Sequence, residues 1–151
     1  MLTDIIASHI EWASDAVGKR LLAVRAEVFQ FEGRPTSHPL KLELDFGDKS
    51  VILTCASDGE TLSVSSEPLR SADTSEAGSV EVADWSGVRP FARVAKLTLD
   101  DVQAIYDRRD HALIGVTLRF GSERMDIVNL GDEMIARSAI DEALLEGARR
   151  V

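Results

Sequence analysis

Leu40-Lys-Leu-Glu-Leu-Asp-Phe46-Gly47 decides the fold class, because apolar and charged residues alternate along it without a break. This period of two is typical of a β-strand with one buried face and one wet face, and such strands belong to antiparallel sheets. A shorter stretch, Leu118-Arg-Phe120-Gly121, repeats its ending at an offset of 74 residues. The sequence therefore predicts antiparallel strands in both halves of the chain.

Further similarity surrounds these two stretches. An acidic turn follows each one, Asp58-Gly59-Glu60 in the first half and Gly131-Asp132-Glu133 in the second. Upstream, Val24-Arg-Ala26 resembles Val102-Gln-Ala104 at an offset of 78 residues, and the extra length falls in the loop from Phe31 to Pro39. Copies of one unit keep their register within strands and change length in loops. We therefore expect an internal repeat made of two similar β-meanders.

Helical patterns occupy both ends of the chain. Apolar residues recur at spacings of three and four within residues 1–18, and Gly18 supplies a stop. Ser138 caps a second such pattern, and Arg149-Arg150 lie in its last turn, as the helix dipole favours. The sequence thus predicts a single α+β domain in which two terminal helices pack on an antiparallel sheet. Its predicted parts are an N-terminal helix (1–18), a first meander (19–66), a long connection (67–90), a second meander (91–137) and a C-terminal helix (138–151).

The connection between the meanders is the segment in which we most expect a functional site. It is rich in Ser, Glu, Asp and Ala, and connections of this length are usually either functional or disordered. Val80, Val82 and Trp85 are predicted to form one edge strand within it. Trp85 is the best candidate for an interaction anchor, because an indole in polar sequence either packs on the core or contacts a partner. Packing on the core is the favoured alternative.

Composition bounds the class of protein. With 151 residues, 44% of them hydrophobic and 28% charged, the chain is long enough for one ordinary hydrophobic core. The net charge of -9 argues against non-specific nucleic-acid binding, which depends on cationic contacts with phosphate. The single cysteine, Cys55, excludes an internal disulfide and suits a reducing compartment. Without a basic leader or a long apolar run, the sequence predicts a cytoplasmic protein that binds neither nucleic acid nor membrane.

The sequence contains no motif that indicates catalysis, a cofactor or a metal. His9 lies in the apolar stripe of the first predicted helix, where it either packs in the core or lines a pocket. Cys55 lies in an apolar strand, so its thiol is expected to be buried and inert. No histidine has a second histidine or a cysteine at metal-ligand spacing. We therefore expect no catalytic residue, no cofactor and no metal ligand.

The acidic turns are the remaining candidates for an interaction site. If the repeat holds, Asp58 and Glu60 approach Asp132 and Glu133 across a pseudo-twofold axis, where close carboxylates would bind a cation or share a proton. The structural alternative is that Asp and Gly satisfy the tight turns while each Glu stays in solvent. The structural alternative is favoured, because tight turns require these residue types in any case.

The leading functional hypothesis is a non-enzymatic binding or protein-interaction module. Its expected partner is another protein or a second copy of the chain. One version is an immunity-like acidic protein that blocks a basic toxin, which rests on size and charge alone. The alternative is a small-ligand-binding protein or enzyme with a pocket between sheet and helices, in which His9 meets polar side chains.

Overall fold

The computed structural model describes residues 11–35, 38–65, 67–73, 78–107, 112–138 and 148–150. Strands in two antiparallel sheets make up most of this described part. Its helical elements are one α-helix, α1 (Trp12–Ala16), and one 3-10 helix, η1 (Phe91–Arg93). In the described ranges, no helix is long and apolar enough to cross a membrane.

The first sheet has seven strands. They are β1 (Ala23–Phe31), β2 (Arg34–Pro35), β3 (Lys41–Asp45), β4 (Ser50–Cys55), β5 (Leu62–Ser65), β6 (Ala72–Asp73) and β7 (Ser79–Asp84). The order across the sheet is β5-β4-β3-β1-β7-β6, and β2 pairs with the far end of β1.

The second sheet has five strands. They are β8 (Asp101–Asp107), β9 (Leu113–Phe120), β10 (Glu123–Leu130), β11 (Glu133–Arg137) and β12 (Ala148–Arg150). Their order is β11-β10-β9-β8-β12. Each sheet therefore contains a four-stranded antiparallel meander in the same order, β1-β3-β4-β5 in the first and β8-β9-β10-β11 in the second.

The main core lies between the two sheets. Alternate residues of β3, such as Leu42 and Leu44, are fully buried against residues of the second sheet that include Leu118 and Ile127. These positions follow from strand geometry, because successive side chains point to opposite faces. The helix α1 adds three buried side chains to the same core, which are Trp12, Ala13 and Ala16.

The second sheet is buried on its other face as well. Ile105 and Val128 belong to a separate buried cluster, and neither exposes any surface. Along β9 seven of the eight residues are buried, whereas along β3 buried and half-exposed residues alternate. The two meanders therefore share a strand order but differ in how their outer faces are covered.

The prediction of an α+β domain with two terminal helices is wrong. Within the predicted N-terminal helix, α1 ends at Ala16, and residues 1–10 lie outside the described part. Within the predicted C-terminal helix, Ala148–Arg150 form a strand that pairs with β8, and residues 139–147 lie outside the described part. A free sheet edge offers a backbone ladder that overrides weak helical periodicity. The strands also form two sheets instead of one.

The long connection contributes strands to the first sheet. The strand predicted around Val80 and Val82 exists as β7, but it is not an edge strand, because it lies between β1 and β6. Trp85 follows the end of β7 instead of belonging to it. Pairing with β1 satisfies the backbone groups of β7.

Candidate anion-binding cleft

The segment that joins β7 to β8 is anchored by two aromatic rings. The Trp85 amide donates a hydrogen bond to the Val24 carbonyl over 2.8 Å, which holds the start of the segment on β1. Phe91, at the start of η1, is only 1% exposed, and its ring centroid lies 6.1 Å from that of Trp85. Arg89 and Arg93 flank Phe91 in sequence and are exposed. Burial of the ring therefore fixes the backbone from which both arginines project.

A cleft separates this segment from β11, which is at one edge of the second sheet. Two adjoining cavities of about 300 and 340 Å³ form it, and they share Arg89, Pro90, Ala136 and Arg137. We name this space the arginine cleft. Among the described residues, its lining is His38, Pro39, Trp85, Val88, Arg89, Pro90, Phe91, Arg93, Met134, Ile135, Ala136, Arg137 and Ser138.

The charge of the arginine cleft is opposite to that of the whole protein. Arg89, Arg93 and Arg137 are exposed, and none of them forms an ion pair with another described residue. No carboxylate belongs to the lining in the described ranges. A chain with a net charge of -9 thus gathers three guanidinium groups around one concave space. Guanidinium groups bind carboxylates and phosphates through paired hydrogen bonds.

The rim of the cleft carries one imidazole–carboxylate contact. His38 Nε2 lies 3.3 Å from Glu133 Oε2, so the loop before β3 contacts the first residue of β11. The Glu133 side chain is 60% exposed, which leaves most of it in solvent. This contact places the predicted candidate Glu133 beside the arginine cleft instead of in a separate acidic site.

Trp85 packs on the core and also lines the arginine cleft. It is half-buried and packs against the main core and Phe91, as the structural alternative predicts. It is also one of the residues around the larger cavity of the arginine cleft. Its role as an interaction anchor stays a prediction.

The two acidic turns meet, although their acids do not form a metal site. A Cβ placed on Gly59 would lie 3.9 Å from Asp132 Cβ. Asn129 Nδ2 donates to the Thr61 carbonyl over 3.1 Å, which ties the second turn to the first. In the part of the chain that the structure describes, no group of three or more His, Cys, Asp or Glu side chains could hold a metal ion.

The acid of the first turn serves the turn itself. Asp58 Oδ1 accepts hydrogen bonds from the amides of Glu60 and Thr61, and Asp58 Oδ2 accepts one from Thr61 Oγ1. The Thr61 hydroxyl is the largest of the causes that lower the pKa of Asp58, followed by the two amides. In the second turn, Asp132 takes a positive φ of 69°, which Asp tolerates better than most residues. Structural roles therefore account for both aspartates.

Cys55 lies close to the meeting turns. It is partly buried, and burial raises the pKa of its thiol to about 11, with a smaller contribution from the Asp132 carboxylate. A thiol with a raised pKa is a poor nucleophile at neutral pH. The position thus fits the expected inert thiol, although Cys55 is less buried than predicted.

The sequence reasoning missed the three arginines. Arg89 and Arg93 stand four residues apart around a Pro-Phe pair in an acidic chain, and that spacing was a usable signal. Arg137 gave no such signal, because only the tertiary fold brings the end of β11 to the connection. His9, the predicted pocket residue, lies outside the described residues.

Comparison with known proteins adds no further assignment. No protein-family model matches the chain, and searches of curated proteins and of solved structures found no significant match.

Proposed function

We propose that the protein is a binding module whose ligand carries an anionic group, and that the arginine cleft holds this group. The observation that carries the proposal is the concentration of Arg89, Arg93 and Arg137 around one partly apolar space in a chain of net charge -9. Like charges gathered without a counter-ion repel one another and add no stability. A bound anion supplies the missing opposite charge.

The proposed class is a non-enzymatic module, and the proposed ligand belongs to a partner protein. The cleft offers charge and apolar surface, which is the combination found at protein-binding sites. A small carboxylate-bearing or phosphate-bearing molecule is the alternative, since cavities of this volume also hold small ligands. We also propose a cytoplasmic location, which the single free thiol supports.

We further propose that the two meanders are copies of one unit. Their common strand order supports this, as does the position of Phe46-Gly47 and Phe120-Gly121 at the same hairpin in each meander. Gly47 and Gly121 both take a positive φ there, 94° and 64°. In this view Arg89 and Arg93 are not part of the repeat, because they lie in the segment that joins β7 to β8.

Citrate, which carries three carboxylates, is a suitable probe for the cleft. We expect citrate at low salt to shift the side-chain Nε–H signals of Arg89, Arg93 and Arg137 in nitrogen-labelled protein, with a Kd on the order of 1 mM. Each Arg→Ala variant should weaken this binding roughly threefold to tenfold. Arg20→Ala is the matched control, because Arg20 is exposed but does not line the cleft.

The triple variant decides the proposal. Removal of all three cleft arginines should abolish saturable binding while the amide spectrum stays that of a folded protein. If citrate binds the triple variant as well as it binds the native chain, the arginine cleft is not an anion site.

A further inference from the structure

The strand β11 borders the arginine cleft with an open edge. Within the described ranges it pairs only with β10, and no strand is hydrogen-bonded to its other side. Four of its five residues line the cleft. An open edge is a template for another strand, because its backbone N–H and C=O groups remain available.

The register of the β10–β11 hairpin tells which backbone groups face the open edge. Leu130 pairs with Glu133 across the two-residue turn, in which Gly131 and Asp132 both take positive φ. In such a hairpin the flanking pair is hydrogen-bonded, and the pairs alternate from there. Met134 and Ala136 are therefore in non-hydrogen-bonded pairs, so their amides and carbonyls point away from β10.

These groups have no other backbone partner among the described residues. The backbone hydrogen bonds outside the ladders include none from the amide or to the carbonyl of Met134 or Ala136. Both residues also line the arginine cleft. Met134 is only 1% exposed, so the protein itself covers its amide and carbonyl, whereas Ala136 is partly exposed. The edge thus presents the Ala136 amide and carbonyl beside a cluster of positive charge.

We propose that an extended acidic segment of a partner protein binds here by adding a strand to β11. The inference rests on the proposed anion-binding function and names its ligand class. Backbone hydrogen bonds to Ala136 position the segment, and its carboxylates pair with Arg89, Arg93 and Arg137. Strand addition supplies affinity through the main chain, while charge supplies the choice of partner.

The balance of charge favours an acidic partner over a second copy of the chain. An antiparallel pair of two β11 strands, centred on Ile135, would place Glu133 opposite Arg137 of the other copy. That arrangement satisfies one arginine in each copy and leaves Arg89 and Arg93 without counter-charge. A segment with several carboxylates satisfies all three, and each additional ion pair also speeds association at low salt.

The test uses a blocked heptapeptide of alternating glutamate and valine as the probe. Two N-methylated versions are compared, one methylated at the valines and the other at the inner glutamates. Because alternate amides of a strand point to the same side, only one of the two versions removes the donors that face β11. We expect one version to bind at least about tenfold more weakly than the parent and the other to bind like it. A version with lysine in place of glutamate should not bind.

Variants of Ala136 test the same edge from the side of the protein. Ala136→Pro removes the edge-facing donor without removing a bond to β10, whereas Ala136→Val keeps the donor and serves as the control. We expect Ala136→Pro to weaken peptide binding at least about tenfold more than Ala136→Val does. If the proline variant fails to fold, the N-methylated peptides still test strand addition on the native chain.

The outcomes separate this inference from the proposed function. Citrate binding that needs the arginines, together with equal affinity for the parent and both methylated peptides, would overturn strand addition and leave anion binding in place. Failure of both citrate and peptide to bind would overturn both proposals. A dimer that light scattering detects in the native chain and not in Ala136→Pro would assign the edge to a second copy and also overturn the inference.

Discussion

Both sheets contain a four-stranded meander with the same strand order, but the surroundings of the two meanders differ. In β3 the outward-facing Lys41, Glu43 and Asp45 are half-exposed, whereas in β9 the outward-facing Gly115 and Thr117 are buried. Inward-facing residues are buried in both sheets. Strand alternation thus decides which side chains share a face, but it does not decide whether that face meets water.

Each outer face carries an arginine–carboxylate pair, and the pairs show the same contrast. In the first sheet Arg25 of β1 contacts Glu43 of β3, and the Arg25 side chain is 46% exposed. In the second sheet Arg124 binds Asp126 through both carboxylate oxygens, and the Asp126 side chain is 0% exposed. Thr117 Oγ1 also donates to Asp126 over 2.6 Å. The covered sheet therefore depends on its polar network much more than the open one does.

The largest effect is expected from removal of the buried carboxylate. Asp126→Ala should lower the free energy of unfolding by about 3–5 kcal/mol, because the partly buried Arg124 and the buried Thr117 both lose their hydrogen bonds to this buried carboxylate. Glu43→Ala in the first sheet is the control, and it should cost at most about 1 kcal/mol, since Arg25 can turn to solvent. Urea denaturation of both variants measures the difference. Equal losses would mean that the two outer faces are equally wet.

A single added methyl group should also show a difference in stability between the two sheets. A Cβ on Gly115 would lie 2.6 Å from the Ile127 carbonyl oxygen, so Gly115→Ala forces β9 and β10 apart. We expect a loss of roughly 1–3 kcal/mol in urea denaturation. The matching position in the first sheet, 74 residues earlier, is Lys41, and its side chain lies on a half-exposed face. Lys41→Ala should change stability by less than about 0.5 kcal/mol, and a larger change would weaken the comparison.

The bond between the two turns tests how tightly the sheets are joined. Buried Asn129 donates to the Thr61 carbonyl and accepts from the Asp132 amide over 3.0 Å. Asn129→Ala leaves both backbone groups without this partner, so a loss of about 1–2 kcal/mol is expected. Hydrogen exchange should accelerate at the amides of both turns. Acceleration at the second turn alone would show that the bond does not couple the sheets.

The smallest effect is expected from the ionisation of Cys55, which makes stability depend on pH. Cys55 lies in the first sheet, 74 residues before Asn129. Burial, with help from Asp132, raises the pKa of this thiol from 9.0 to about 11, so the folded state favours the neutral form. Its stabilising contribution is complete below pH 9, the pKa of the unfolded thiol, and it disappears as pH rises towards 11. Iodoacetamide labelling should reach half its maximal rate near pH 11 in the folded chain and near pH 9 in urea.

The control for this pH dependence is Asp132→Asn. Because the carboxylate is the second cause of the shift, the variant should lower the labelling midpoint of the folded chain while leaving it well above 9.0. An unchanged midpoint would mean that burial alone raises the pKa of Cys55.

Local patterns predicted the strands well and the ends of the chain poorly. The alternation in Leu40–Phe46 gave β3, and the glycine-containing turns after it appear where the pattern placed them. The apolar spacing near Ala148–Arg150 suggested a helix, because a pattern of three and four does not reveal a free edge such as that of β8. Trp85 was found because its residue type is unusual in a polar stretch, whereas Arg137 resembled any other surface arginine.

The sequence by itself determined which residues of each strand share a face, where the chain turns, and that the protein carries an excess of negative charge. These properties follow from the period of two in a strand, from the backbone demands of tight turns and from simple addition of charges. Only the tertiary structure decided that β11 lies at an edge beside Arg89 and Arg93, and that one outer face is covered while the other is half-open. Such juxtapositions depend on how the sheets pack. Packing depends on contacts between residues that are far apart in sequence, and no local pattern connects these residues.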